Sequence, residues 1–221
     1  MVTISNDGPV WTLDLGDDEN RFSPDRLTAV SEALDRLEAS TEPAVLVTTA
    51  RGKFWSNGLD LDWLGEHPDE WASYVDRVHA LFARVLTLPV PTVAAVNGHA
   101  FGAGSMLAMA HDYRVMREDR GYFCFPEVDI LIPFTRGMDA LITSKLTPRV
   151  ALDAMATGRR YSGAEAAAVG LVDAAAPLEQ LSEVAAGFVV DLAGKDRTTL
   201  GTIKSRMFAG VVEALGEPTA G

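Results

Sequence analysis

Between Pro91 and Pro133 the chain reads PTVAAVNGHAFGAGSMLAMAHDYRVMREDRGYFCFPEVDILIP, and few folds can hold residues in that order. Thr92 to Val96 is a β-branched and alanine run of strand length. It passes through Asn97-Gly98 into Gly102-Ala103-Gly104, and an apolar helix of roughly two to three turns follows, to about His111. A glycine-flanked amide at a helix N-terminus points an unpaired N–H outward with the helix dipole behind it. That suits an oxygen that gains negative charge during a reaction. Further on, Glu127 stands among Phe123, Phe125, Pro126, Val128 and Ile130, where a carboxylate is costly unless it ion-pairs or does chemistry.

The 221 residues, 48% of them hydrophobic, suffice for one α/β domain with a full core. A net charge of −12 argues against a nucleic-acid surface or an anionic membrane as the principal partner, since both call for clustered Lys and Arg. The lone cysteine, Cys124, precludes an intrachain disulfide, offers no metal cluster and fits a reducing compartment. The N-terminal MVTISNDGPVWTL has no basic region before a long apolar core, and no window reaches the ~18 apolar residues of a membrane span. The terminal Pro218-Thr219-Ala220-Gly221 is not a peroxisomal tripeptide, so a soluble cytoplasmic protein is expected.

Residues 2–5 and 9–15 alternate around Asn6-Asp7-Gly8 and predict a hairpin. Ser23-Pro24 opens a helix whose apolar face is Leu27, Val30, Leu34 and Leu37. Ala44 to Thr48 reads as a strand, 50–58 as a loop, and 60–64 as a short helix. From Pro68, the residues Trp71, Val75, Val78, Phe82 and Val85 keep helical spacing until Pro89 and Pro91 stop it. Beyond Pro133, helices are expected to Lys145 and over 148–157, then a capping-box helix from Ser162 and Glu165 to Gly170. A brief strand over 171–174 and helices near 177–193 and 196–214 complete the chain. Strands alternating with helices make an α/β core with βα crossovers.

Three ordered motifs carry a resemblance. Asn97-Gly98 with Gly102-Ala103-Gly104, the helix ending at Asp112 and the later Pro126-Glu127 resemble the signature of the crotonase (enoyl-CoA hydratase/isomerase) superfamily. Lys53-Phe54-Trp55-Ser56-Asn57-Gly58-Leu59-Asp60-Leu61 is similar to its earlier F-x-x-G-x-D loop, and Thr157-Gly158 through Gly170-Leu171-Val172 to its later element. The stretch from Ala108 to Ile130 looks most like the Δ3,Δ2-enoyl-CoA isomerase branch. The resemblance implies a spiral of ββα units over 1–175, a helical C-terminal region over 176–221 in the same domain, and a homotrimer or dimer of trimers. It implies an acyl-CoA substrate, no cofactor beyond the coenzyme A of that substrate, and no metal. Carried over by motif, the oxyanion-hole amides fall on Leu59 and Ala103, and Glu127 is the acid/base that moves a C3 double bond to C2. Lys53, Trp55, Gly58, Asp60, Gly102, Gly104, Met106 and Phe134 are the substrate-binding expectations. Hydratases of the family carry a second glutamate two residues after the last glycine, where this chain has Met106; Phe134-Thr135-Arg136-Gly137 also replaces their glycine-rich run.

Each residue has a plainer reading beside the functional one. Glu127 could ion-pair with Arg136 or Arg114, and Asp129 would share its face on a strand, as base or as a neighbour raising its pKa. Ser105 lacks the flanking glycines of a hydrolase elbow. His99 and His111 read as structural, Trp55 and Trp63 as core or acyl-pocket walls, Met106 and Met109 as packing, and Cys124 as inert core. Lys53, Lys204 and Arg206 are either solvated or positioned for a CoA phosphate. A hydratase, a thioester hydrolase and a catalytically silent binding protein are the alternatives to an isomerase.

Overall fold

The computed structural model of the chain describes residues 1–219. β1 (Thr3–Asp7) and β2 (Val10–Asp14) form the hairpin, and α1 (Pro24–Ala39) starts at Ser23, whose side chain accepts the Arg26 N–H. Three strand–strand–helix turns follow. The first is β3 (Val45–Thr49), β4 (Phe54–Ser56), α2 (Leu61–Glu66) and α3 (Trp71–Leu86). The second is β5 (Thr92–Val96), β6 (His99–Phe101) and α4 (Ala103–Ala110); the third is β7 (Tyr113–Arg117), β8 (Phe123–Cys124) and α5 (Glu127–Ile130). The remainder is α6 (Arg136–Lys145), α7 (Pro148–Thr157), α8 (Gly163–Val169), β9 (Ala174–Ala176), α9 (Leu181–Gly187), α10 (Arg197–Met207) and α11 (Ala209–Leu215).

The first strand of each turn joins a six-stranded sheet of order β1-β2-β3-β5-β7-β9, parallel from β2 onward; the second joins a three-stranded parallel sheet, β4-β6-β8. This is the α/β spiral that the three motifs imply. The corners between the sheets stack so closely that a β-carbon on Gly98 would lie 2.2 Å from the Lys53 carbonyl oxygen. Every residue of α4 is buried, which is why that helix has no polar face. Val211 and Leu215 of α11 join the main core, whereas Leu181 and Ala185 of α9 belong to a second cluster with Val45, Val47, Val93 and Val115 of the large sheet. No helix among the described residues is long and apolar enough to cross a membrane.

Several expected elements differ. The apolar run after Pro126 is the single helical turn α5, ended by Leu131 in the left-handed region (φ +59°). Its Val128 and Asp129 are exposed while Glu127 is buried, so Glu127 and Asp129 do not share a face. Pro68–Glu70 is a separate 3-10 turn before α3; the expected helices over 177–193 and 196–214 break near Phe188 and at Phe208. The last strand lies at 174–176, beyond the apolar pair Leu171-Val172, which is buried in the core. Strands β4, β6, β7 and β8 give no strand pattern in the sequence, because three are only two or three residues long and β7 carries two arginines.

Candidate active site

Strands β4, β6 and β8 lie side by side and run in one direction, so their carboxyl ends open on one side of the small sheet. Each exit delivers one group: Leu59 after β4, Ala103 after β6, Glu127 after β8. All three line one cavity of about 370 Å³, together with Gly102. The crevice beyond the carboxyl ends of parallel strands is where open α/β folds place their ligands.

Gly58, at φ +79°, brings the loop after β4 onto the start of α4; a β-carbon there would lie 2.7 Å from the Phe101 carbonyl oxygen and 2.9 Å from the Ala103 nitrogen. The same contact brings Leu59 beside Ala103. In a trans peptide the C=O and the following N–H point in opposite directions. The Gly58 carbonyl accepts the Phe22 N–H (2.8 Å) and the Gly102 carbonyl accepts the Met106 N–H (3.0 Å), so the Leu59 and Ala103 N–H groups are aimed away from those partners. Among the described residues neither N–H donates a hydrogen bond to the protein. Ala103 is also the first residue of α4, where the helix dipole adds partial positive charge.

Glu127 is 6% exposed, and its Oε2 has no hydrogen-bond partner. Burial pushes its pKa up to about 7. Among the described residues no ion pair offsets this: Arg114 pairs with Asp173 (3.2 Å) and Arg136 with Glu217 (2.7 Å). A carboxyl that exchanges its proton near neutral pH, beside two free amides, can remove and return a proton next to a carbonyl.

The other expected site residues are distributed more widely. Trp55 is fully buried, donates to the Thr48 carbonyl (3.3 Å) and meets His111 edge-on; it does not reach the cavity. Met106 is sealed in α4 and Gly104 is buried behind Ala103, so neither lines the cavity. Asp60 caps α2 by accepting the Trp63 N–H, and Lys53 holds its ammonium 5.0 Å from the Phe54 ring. Phe134 packs edge-on to Phe125 beside an adjoining depression. Ser105 Oγ lies within hydrogen-bond distance of the Ala100 and Cys124 carbonyls, and the Cys124 thiol donates to the Gly158 carbonyl with its pKa pushed up to about 11 by burial. His111 bridges the Leu107 carbonyl and the Thr48 hydroxyl, and burial drives its pKa down to about 3. Lys204 is buried against the Leu88 and Val90 carbonyls and Asp112, while Arg206 is exposed.

Some cavity residues had no sequence signal. Arg21 precedes the helix cap at Ser23 and pairs with Asp62, and Arg160 lies 5.5 Å from the Phe101 ring; both supply positive charge at the lining. Trp71, Ile132 and Met138 form apolar wall. Of these only Trp71 was legible, as part of a helix face, and nothing in its spacing separates a cavity wall from core.

Comparison with other proteins bears on the family and the fold. A family model described as enoyl-CoA hydratase/isomerase matches residues 9–220. Enoyl-CoA delta isomerase 3 of Arabidopsis thaliana is 39% identical over 186 residues, covering 80% of this chain and 77% of that protein. The peroxisomal enoyl-CoA delta isomerase 2 of the same plant is 38% identical over 80% of this chain and 77% of its own. The crystal structure of human mitochondrial delta3-delta2-enoyl-CoA isomerase matches the fold with a TM-score of 0.90 at 24% identity, covering 97% of this chain and 85% of that one. A spiral of this topology, a match over almost its whole length and relatives well above one-third identity lead to one conclusion: the chain belongs to the enoyl-CoA hydratase/isomerase family.

Proposed function

We propose that the protein is a Δ3,Δ2-enoyl-CoA isomerase. Glu127 removes a proton from C2 of a 3-enoyl-CoA, the C2–H electron pair moves into the thioester as a dienolate, and the Leu59 and Ala103 N–H groups bind the resulting oxyanion. The same carboxyl then returns the proton at C4, leaving a double bond between C2 and C3 conjugated with the thioester. The observation that carries this reading is the buried Glu127 carboxyl, its Oε2 without a hydrogen-bond partner, poised near neutrality in one cavity with two free amides. The names of the plant relatives support it.

Hydration of a 2-enoyl-CoA needs a second carboxylate to hold water. The other carboxylate at the cavity is Asp62, an exposed side chain paired with Arg21 at its rim, and Met106 holds the position of the hydratases' second glutamate. This favours isomerisation over hydration or thioester hydrolysis, and the raised pKa favours an enzyme over a silent binding protein. The substrate's coenzyme A is the only cofactor the reaction as proposed requires, and Arg21 and Arg160 offer charge to its phosphates. Assembly as a trimer or a pair of trimers, a cytoplasmic setting and a role in fatty acid metabolism complete the proposal.

Purified protein mixed with a 3-enoyl-CoA is expected to generate the ultraviolet absorbance of the conjugated 2-enoyl thioester. Absence of that signal at high enzyme concentration rejects the isomerase, and 3-hydroxyacyl-CoA or free CoA as the main product would make it a hydratase or hydrolase.

A further inference from the structure

One buried hydroxyl on α3 is tied to the peptide units on both sides of Leu59. The Tyr74 hydroxyl accepts the Asp60 N–H (2.9 Å) and donates to the Phe22 carbonyl (2.8 Å). Phe22 in turn donates its N–H to the Gly58 carbonyl (2.8 Å). The result is a closed circuit of three hydrogen bonds through Phe22, Gly58, Asp60 and Tyr74 that encloses Leu59. It holds the Gly58–Leu59 plane by its carbonyl and the Leu59–Asp60 region by the next N–H, so the free N–H of Leu59 has little room to rotate. Ala103 needs no such device, since its peptide unit is fixed by the first bond of α4.

We propose that Tyr74 is a positioning residue of the oxyanion hole, aiming the Leu59 N–H at the thioester oxygen from outside the cavity; this rests on the isomerase reading above. Tyr74 is 2% exposed and is not among the residues lining the cavity, so any effect it has on the reaction passes through the backbone it holds. Its phenol stays protonated through the working range, because burial pushes its pKa up to about 12. The donor to Phe22 is therefore always present. Preorganised donors act chiefly on the charge that develops in the transition state. Loosening one should lower kcat far more than it weakens ground-state binding.

Tyr74→Phe keeps the ring and removes the circuit's centre. With a 3-enoyl-CoA, kcat is expected to fall about tenfold, short of the ~10²–10³ lost when an oxyanion donor is removed outright, with KM nearly unchanged. A bound 2,4-dienoyl-CoA supplies a readout that packing alone would not move: hydrogen bonds to its thioester oxygen shift its absorbance to the red, and Tyr74→Phe should shrink that shift. A thermal melt of the folded variant accompanies both measurements. Wild-type protein that turns over substrate and shifts the chromophore, beside an unchanged Tyr74→Phe, overturns the Tyr74 role alone. So does a loss of kcat with the full red shift retained. Wild-type protein that does neither overturns the isomerase reading and the Tyr74 role with it.

Discussion

The Glu127 Oε1 atom stands 3.2 Å from the point that a β-carbon on Gly102 would occupy. Gly102 itself has φ +53° and ψ −123°, a conformation open almost only to glycine, and it precedes the Ala103 amide. Gly102→Ala therefore strains the backbone and pushes a methyl against the acid at once. The variant should be destabilised by about 1–3 kcal/mol in urea unfolding, and its kcat should fall at least about tenfold. Unaltered kcat would mean that the two groups do not share a reaction centre.

A pKa near 7 for Glu127 sets the pH profile. As a base it must be ionised, so kcat/KM should rise with pH through about 7 and then level off. A free-enzyme limb at the ordinary carboxylate value, in a pH–rate series, would contradict the burial argument.

The same shift has a thermodynamic counterpart. Between the ordinary value of 4.5 and about 7 the folded chain holds a proton that the unfolded chain has released, so Glu127 lowers stability as pH rises through that window. Glu127→Gln removes the burden. It should abolish isomerisation while making the protein more stable, by at most about 3 kcal/mol above neutrality, with the gain vanishing below the ordinary carboxylate range. Denaturant titrations of both proteins at acidic and alkaline pH check the sign.

Lys204 tests the difference between a buried strut and a ligand contact. Its ammonium meets the Leu88 and Val90 carbonyls at 3.0 and 3.1 Å and Asp112 at 2.8 Å, although burial lowers its pKa. Lys204→Met leaves Asp112 and two carbonyls without their partner and should reduce stability by about 3–5 kcal/mol. KM for an acyl-CoA, measured below the melting transition, should stay at the wild-type value; a large rise would return Lys204 to the role of phosphate ligand.

Met106 is fully buried in a helix that has no exposed face. Met106→Glu restores the hydratase pattern in sequence but places a carboxylate where this chain has packed a thioether. A loss of about 3 kcal/mol of stability is expected without a gain in 3-hydroxyacyl-CoA product. Chromatography of the products beside a melt decides it.

What could be read from residues alone follows from range. Leu59, Ala103 and Glu127 sit in contiguous motifs whose glycines and apolar neighbours are local signals, and the structure brings all three to one cavity. The helix of Leu27, Val30, Leu34 and Leu37 was equally plain, because its period repeats. Two- and three-residue strands have no period to detect, which hid β4, β6 and β8. Pro126-Glu127-Val128-Asp129-Ile130 alternates like a strand, yet it closes as a helical turn because the Leu131 and Ile132 amides both return to the Glu127 carbonyl. Arg21 and Tyr74 reach the oxyanion loop only across the tertiary fold. A hydroxyl at 74 binding an amide at 60 and a carbonyl at 22 leaves no trace in spacing.

Because Leu59, Ala103 and Glu127 leave three neighbouring parallel strands, their mutual spacing depends on strand register. Deleting one residue from β6 would slide the Ala103 amide by about 3.3 Å relative to the other two and turn its carrier strand over. Insertions between α6 and α7, or before α9, move none of the three. Sequence length in this protein should therefore drift freely in the helical outskirts and hardly at all across the short inner strands.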